Sequence, residues 1–177
     1  MDDKIAAAYL DEAFRSLRGH KHLAEGAMTQ IDDEQFFRIL DPEANSVAII
    51  VKHMAGNMRS RFTDLLTSDG EKPWRKRDQE FIIEANDTRA ELMRRWEESW
   101  GLTLNTVQSL TAEDLLKTVA TRGQPNSVLQ AVHRASAHYA YHVGQIVFLT
   151  KHLQSANWKT LSIPRGQANA APEKKQQ

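Results

Sequence analysis

The fold is decided by the stretch at residues 126–153, which reads NSVLQAVHRASAHYAYHVGQIVFLTKHL. Its apolar residues recur every three or four positions, which is the period of an α-helix with one buried face. The triplet Gly123-Gln124-Pro125 interrupts the pattern on the N-terminal side, and Asn126 or Ser127 can cap the first turn. The stretch therefore predicts a helix of about eight turns.

Three further stretches with helical periodicity precede this one. The first covers residues 3–26, the second begins after residue 45 or 46 and extends to a turn signal at residues 68–70, and the third begins near Asp78 and continues through Trp100. We assign the following apolar residues to the core: Ile5, Tyr9, Leu10, Ala13, Phe14 and Leu17 in the first stretch, Val47, Ile50, Met54, Met58 and Leu65 in the second, and Phe81, Ala85, Leu92, Trp96 and Trp100 in the third. A short helical turn is expected at residues 34–39, and residues 117–123 can be extended. Four long helices with long connections predict an all-α four-helix bundle, whose helix order stays open.

Length and composition limit the classes of function. A chain of 177 residues predicts one domain, which we place at residues 1–163, followed by a disordered tail at residues 164–177 that is rich in Ala, Gln and Lys. Twenty-three basic and 23 acidic residues leave no net charge, which argues against nucleic acid and anionic membranes as partners. The chain has no cysteine, which excludes a catalytic thiolate and thiolate metal sites. With no signal-like start and no apolar run of membrane-spanning length, we expect a soluble, cytoplasmic protein.

His138 and His142 are spaced four residues apart on the predicted fourth helix. They share a stripe with Ala135 and Ile146, so both imidazoles are expected to point toward the bundle interior. The spacing suits two nitrogens that bind one metal ion, and a neutral imidazole bound to metal is less costly to bury than an unsatisfied one. The pair alone is weak support, because two hydrogen-bonded core histidines would have the same spacing.

A third ligand would strengthen the metal interpretation, and His53 in the middle of the second helix is the candidate. On its own, a histidine at such a position is more often structural or exposed. Three neutral imidazoles would leave a metal ion its full charge and an open coordination position, which is the catalytic pattern. A ferritin-like site is excluded, since the chain lacks the two Glu-x-x-His pairs that it needs.

Three segments together resemble the DinB-like superfamily, over about residues 5–155. They are the second-helix segment HMAGNMRSRFTD at residues 53–64, the loop TSDGEKPWRKRD at residues 67–78 and the fourth-helix segment AHYAYHVGQI at residues 137–146. They look most similar to an uncharacterised branch related to the bacillithiol- and mycothiol-dependent transferases.

The resemblance implies a four-helix bundle in which His53, His138 and His142 hold one divalent ion, zinc or nickel. Some members of the superfamily are homodimers, and some are thiol-S-transferases or isomerases that use a low-molecular-weight thiol such as bacillithiol, mycothiol or glutathione. For this chain the resemblance implies a small-molecule thiol and an electrophilic substrate as partners, and a homodimer.

Helical phase indicates which residues surround the three histidines. The pocket candidates are Asn57, Arg61, Arg134, Tyr141 and Gln145. Asn57 or Gln145 can hold a ligand imidazole through its second ring nitrogen. Arg61 with Asp64, and Arg134, are alternatively ordinary surface ion pairs, and Tyr141 reaches either the pocket or a partner chain.

A basic loop lies between the second and third helices, where Lys72, Arg75, Lys76 and Arg77 flank Trp74. It is either a solvated loop or a contact for an anionic cosubstrate.

Two functions are compatible with these features. The first is a metal-dependent enzyme, a transferase or else a hydrolase or isomerase, in which the ion activates an external thiol or a water. The second is a non-catalytic, metal-stabilised dimeric bundle that acts by binding a partner, and it is favoured by the lack of a clear general acid or base beside the histidines.

Overall fold

The computed structural model describes residues 2–167, within which the chain forms five α-helices and one β-hairpin. The elements are α1 (Asp3–Met28), α2 (Asp33–Phe37), α3 (Val47–Phe62), α4 (Arg89–Ser109), β1 (Thr118–Thr121), β2 (Gln124–Ser127) and α5 (Val128–Gln154). Three short 3-10 turns lie at Arg77–Phe81, Asp114–Leu116 and Ser155–Asn157. Most of the predicted tail, residues 168–177, lies outside the described residues, and the domain boundary at residue 163 stays a prediction.

The four long helices form the predicted all-α bundle. Helix α1 packs against α5 and α4, and α3 packs against α4 and α5, so the order around the bundle is α1, α5, α3, α4. This order makes α3 and α5 neighbours. The two helices that carry the three candidate ligands therefore face each other, which the periodicity alone did not determine.

An aromatic stack fills the centre of the bundle. Trp96 and Trp100 of α4 and Tyr139 of α5 are fully buried, with ring centroids 5.6 Å apart at each step of the stack. Edge-to-face aromatic pairs of this kind add about 0.5–1.5 kcal/mol beyond the burial of their area. The stack fixes the rotation of α5 about its axis, because Tyr139 adjoins His138 and points into the core.

Helix α3 is shorter than the sequence suggested. It begins after the Ser46 cap, as expected, but ends at Phe62, and Asp64 lies beyond it with a positive φ of 49°. The predicted Arg61–Asp64 pair is therefore wrong, since Asp64 is no longer in helical phase. Arg61 instead pairs with Glu71 at 3.2 Å.

The third long helix starts later and ends later than predicted. Asp78 is not its cap, because the chain turns at Arg77–Phe81 and α4 begins after Thr88, whose side chain accepts a hydrogen bond from the Glu91 amide. A buried ion pair of 2.6 Å between Lys52 and Asp87 holds the intervening loop against α3. Three residues assigned to the core, Ile5, Phe81 and Ala85, are exposed.

The hairpin leads directly into α5. Strands β1 and β2 pair antiparallel, which agrees with the extended structure expected for residues 117–123. Ser127 caps α5 with a capping box, since its hydroxyl accepts from the Gln130 amide while the Gln130 side chain accepts from the Ser127 amide. Both bonds satisfy amides that a helix start leaves free.

We expect Ser127→Ala to lower the free energy of unfolding by about 1 kcal/mol, because it removes the acceptor for one of these amides. Ser136→Ala, within the same helix and with no capping role, is the control and should not lower stability, since alanine favours a helix interior. Urea unfolding followed by circular dichroism measures both variants. Equal midpoints for the two would contradict the capping role.

A helix that crosses a bilayer has to be both long and apolar. Among residues 2–167, not one helix combines the two properties to the degree that crossing demands.

Candidate metal centre

Helices α3 and α5 bring three imidazoles together inside the bundle. His53 comes from the middle of α3, and His138 and His142 come from successive turns of α5. Nε2 of His138 lies 3.0 Å from Nε2 of His142 and 3.5 Å from Nε2 of His53. One ligand nitrogen from each ring lies within 4.8 Å of the other two, so the three residues are close enough to hold one metal ion.

His53 is held from behind by a carboxylate. Its Nδ1 lies 2.9 Å from Oε2 of Glu80, which stands in the 3-10 turn before α4. Arg75 donates two hydrogen bonds of 2.8 Å to the same carboxylate. Burial raises the pKa of Glu80, but the hydrogen bonds from Arg75 and His53 outweigh it and leave the pKa below its usual value. Because an ionised carboxylate can only accept, Nδ1 of His53 carries a proton, and in the neutral ring the lone pair lies on Nε2.

His142 is oriented in the same way. Its Nδ1 lies 2.8 Å from Oε1 of Gln145, an acceptor, so its Nε2 is also unprotonated. Gln145 therefore contacts the second ring nitrogen of His142, which is the position expected of a residue that orients a ligand imidazole. Two lone pairs thus face Nε2 of His138, which has at most one proton to share between them. A cation at the common point would use all three lone pairs, so the residues fit a metal ion.

A metal ion is bound by neutral imidazole, and burial favours this form in His138 and His142. Burial lowers the pKa of His138 to about 4, with further lowering from the neighbouring His142 and His53. Burial also lowers the pKa of His142. The lowered pKa values of His138 and His142 keep both rings in the form that binds a cation.

Glycine at position 56 leaves room for the Glu80 carboxylate. A Cβ at Gly56 would lie 2.3 Å from Oε1 of Glu80, far inside van der Waals contact. Gly56 lies one turn after His53 on α3. The absence of a side chain there lets the Glu80 carboxylate lie against the helix and contact Nδ1 of His53. Helix position 56 therefore tolerates only glycine if Glu80 is to stay where it is.

A cavity of about 470 Å³ adjoins the three histidines, with His53 and His138 in its wall. Three predicted pocket residues, Asn57, Arg61 and Arg134, also line it. Oδ1 of Asn57 accepts a hydrogen bond of 3.2 Å from the Tyr139 hydroxyl, which links the aromatic core to the cavity wall.

Tyr141 is placed differently from the other pocket candidates. Its ring contacts His142 with centroids 4.9 Å apart, but it is 62% exposed and is not part of the cavity wall. Tyr141 therefore does not line the pocket, and its ring faces outward.

The basic loop before α4 is only partly solvated. Arg75 has 2% of its side chain exposed, and Lys72 is also buried. Trp74 is half exposed, and the Arg59 guanidinium stacks on it at 4.7 Å. The interpretation as a solvated loop is therefore wrong for Lys72 and Arg75.

Reasoning from the sequence missed the contact of Glu80 with His53, and it named Arg75 only as part of the basic loop. Glu80 and Arg75 lie in a connection with no regular period, so their position depends on how the loop folds back over α3. The Gly56 on the same helix as His53 was a possible signal, because a glycine inside a helix marks a close approach.

Comparison with known protein families gives a match over nearly the whole described chain. Residues 4–167 match the family described as a protein of unknown function, DUF1572. The chain belongs to this family. The family is of the general DinB-like type, in agreement with the resemblance of the histidine segments, although the match does not identify a branch. No curated protein of known function matches the chain.

Proposed function

We propose that this DUF1572 protein holds one divalent metal ion, zinc or nickel, with His53, His138 and His142. The observation that carries the proposal is the convergence of three Nε2 atoms, two of them with Nδ1 hydrogen-bonded to an acceptor. Imidazole nitrogens suit both metals. Three neutral ligands leave the ion its full charge and a coordination position toward the cavity.

The reaction that this site supports best is transfer of an external low-molecular-weight thiol to an electrophilic substrate. A divalent ion so held supplies a Lewis acid that lowers the pKa of a bound thiol. The chain has no cysteine, so the thiol comes from outside. Glu80 and Gln145 orient the imidazoles, and the cavity wall around His53 and His138 offers space for the second substrate.

The thiol hypothesis is tested by cobalt substitution. We expect one cobalt ion per chain and a thiolate charge-transfer band when glutathione or another small thiol is added, because the thiol reaches the open position. The His142→Ala variant is the control and should give no such band. Full metal occupancy with no change of the spectrum on addition of thiols would contradict the proposed reaction.

A non-catalytic, metal-stabilised dimer is the second candidate. It is supported by two exposed aromatic rings of α5, Tyr141 and Phe148, at a spacing of seven residues. Helix residues seven apart share one side, so both rings can enter the same interface. A dimer is also compatible with the enzyme, since neither Tyr141 nor Phe148 lines the cavity.

We expect Phe148→Glu to convert a dimer into a monomer, because it places a charge in an apolar interface. Ile163→Glu changes an equally exposed apolar residue beyond α5 and should leave the dimer intact. Sedimentation velocity distinguishes the two species. A wild-type monomer, or an unaffected Phe148→Glu dimer, would contradict this interface.

A further inference from the structure

The cavity beside the three histidines is strongly basic. Five arginines line it, and no aspartate or glutamate among the described residues does so; the five are Arg61, Arg75, Arg77, Arg122 and Arg134. The arginines come from α3, the basic loop, the hairpin and α5. Elements far apart in sequence therefore direct positive charge into one small volume.

Nearby carboxylates neutralise only part of this charge. Glu80 is bound bidentately by Arg75, and Glu71 is shared by Arg61 at 3.2 Å and Arg122 at 3.0 Å. Two carboxylates thus face three guanidinium groups. Burial and the charges of Arg75 and Arg122 lower the pKa of Arg61 despite its contact with Glu71.

Asp69 does not neutralise the remaining positive charge of the cavity. Its carboxylate is already occupied by backbone amides, since it accepts hydrogen bonds from the amides of Glu71, Arg122 and Gly123 at 2.7–2.8 Å. Its role is to fasten the hairpin to the loop after α3. Arg61 has a similar role, because it donates to the Gly70 carbonyl at 2.6 Å.

The last two arginines have no comparable structural explanation. Within residues 2–167, neither Arg77 nor Arg134 has a carboxylate within the 4.0 Å of an ion pair. Both are exposed at the cavity wall, one from the basic loop and one from α5, a turn before His138. A guanidinium group with no ion-pair partner can bind two oxygens of one carboxylate or phosphate group.

We propose that the cavity binds a substrate through a carboxylate or phosphate group, held by Arg77 and Arg134 within the positive field of the other three arginines. Asn57, Thr121 and Asn126 offer hydrogen bonds to the body of the ligand, and Phe62 and Leu65 offer it an apolar wall. Because His53 and His138 belong to the same wall, the anionic end anchors a molecule whose other end lies at the metal centre. As a statement about the substrate it rests on the proposed function, but the anion site can be measured separately.

The test is isothermal titration calorimetry of the full-length protein with inorganic phosphate and with succinate at constant ionic strength. Neutral succinamide serves as the uncharged probe. We expect binding of one or both anions, weakened by roughly tenfold in Arg77→Gln or Arg134→Gln and further in the double variant, since each loses a charge-assisted hydrogen bond. Arg18→Gln removes an exposed α1 arginine outside the cavity and should bind as the wild type does.

A preference for phosphate identifies a phosphorylated ligand, and a preference for succinate identifies a carboxylate. Equal affinity in the double variant and the wild type, or no binding of either anion, would overturn the proposal. So would anion binding that disappears in His138→Ala but survives in the double variant, because the anion would then sit on the metal. If the protein takes up no metal ion but still binds an anion, the proposed function is contradicted and the anion site is not.

Discussion

His138→Ala is expected to lose its bound metal ion while keeping its helical fold. The substitution removes an Nε2 that lies 3.0 Å from that of His142 and 3.5 Å from that of His53, so only two ligands remain. We expect metal affinity to fall on the order of a hundredfold or more, the share of one ligand in the binding energy of such sites. Metal per chain, measured by inductively coupled plasma mass spectrometry after dialysis, checks the result.

His133→Ala is the matched control for this variant. His133 lies on the same helix but is exposed, so its removal should leave one metal ion per chain. Circular dichroism shows whether both variants keep the bundle. A folded His138→Ala protein that still holds one ion per chain would remove the basis of the proposed function.

Gly56→Ala is expected to weaken metal binding without changing any charge or ligand. The new Cβ would require the Glu80 carboxylate to move, and this carboxylate is held by Arg75 and His53, so moving it costs those hydrogen bonds. Loss of such a contact behind a ligand imidazole lowers metal affinity by about 10–100-fold. Competition with a chromophoric chelator measures the affinity.

Gly101→Ala is the control, because alanine in place of glycine usually stabilises a helix. Gly101 lies within α4, and a methyl group there would meet no heavy atom within 4 Å, so Gly101→Ala should gain up to about 1 kcal/mol of stability. Its metal affinity should equal that of the wild type. If Gly56→Ala behaves in the same way, Glu80 does not position His53.

A helix could be predicted from the sequence where its apolar period and its cap both indicated the same bounds. The apolar period of residues 126–153 and a cap at Asn126 or Ser127 predict α5, and the same period places His138 and His142 on its inner side. His53 was harder, because a lone histidine in a helix is ambiguous until the neighbouring helix is known. The bundle order, with α3 beside α5, resolves that ambiguity.

The start of α4 shows why other features could not be predicted. Asp78 and Thr88 are both suitable caps by residue type, and the choice between them depends on tertiary contacts. The Lys52–Asp87 ion pair and the Glu80 contacts with Arg75 and His53 hold the intervening loop against α3. These contacts join residues 27 to 35 positions apart, except for Arg75–Glu80, and no local period encodes them.

The most direct measurement is anomalous diffraction from crystals of the zinc- or nickel-loaded protein, recorded at the absorption edge of the metal. We expect a single peak bonded to Nε2 of His53, His138 and His142, at about 2.0–2.1 Å for zinc. A peak elsewhere, a peak bonded only to the two histidines of α5, or no peak at all would contradict this expectation.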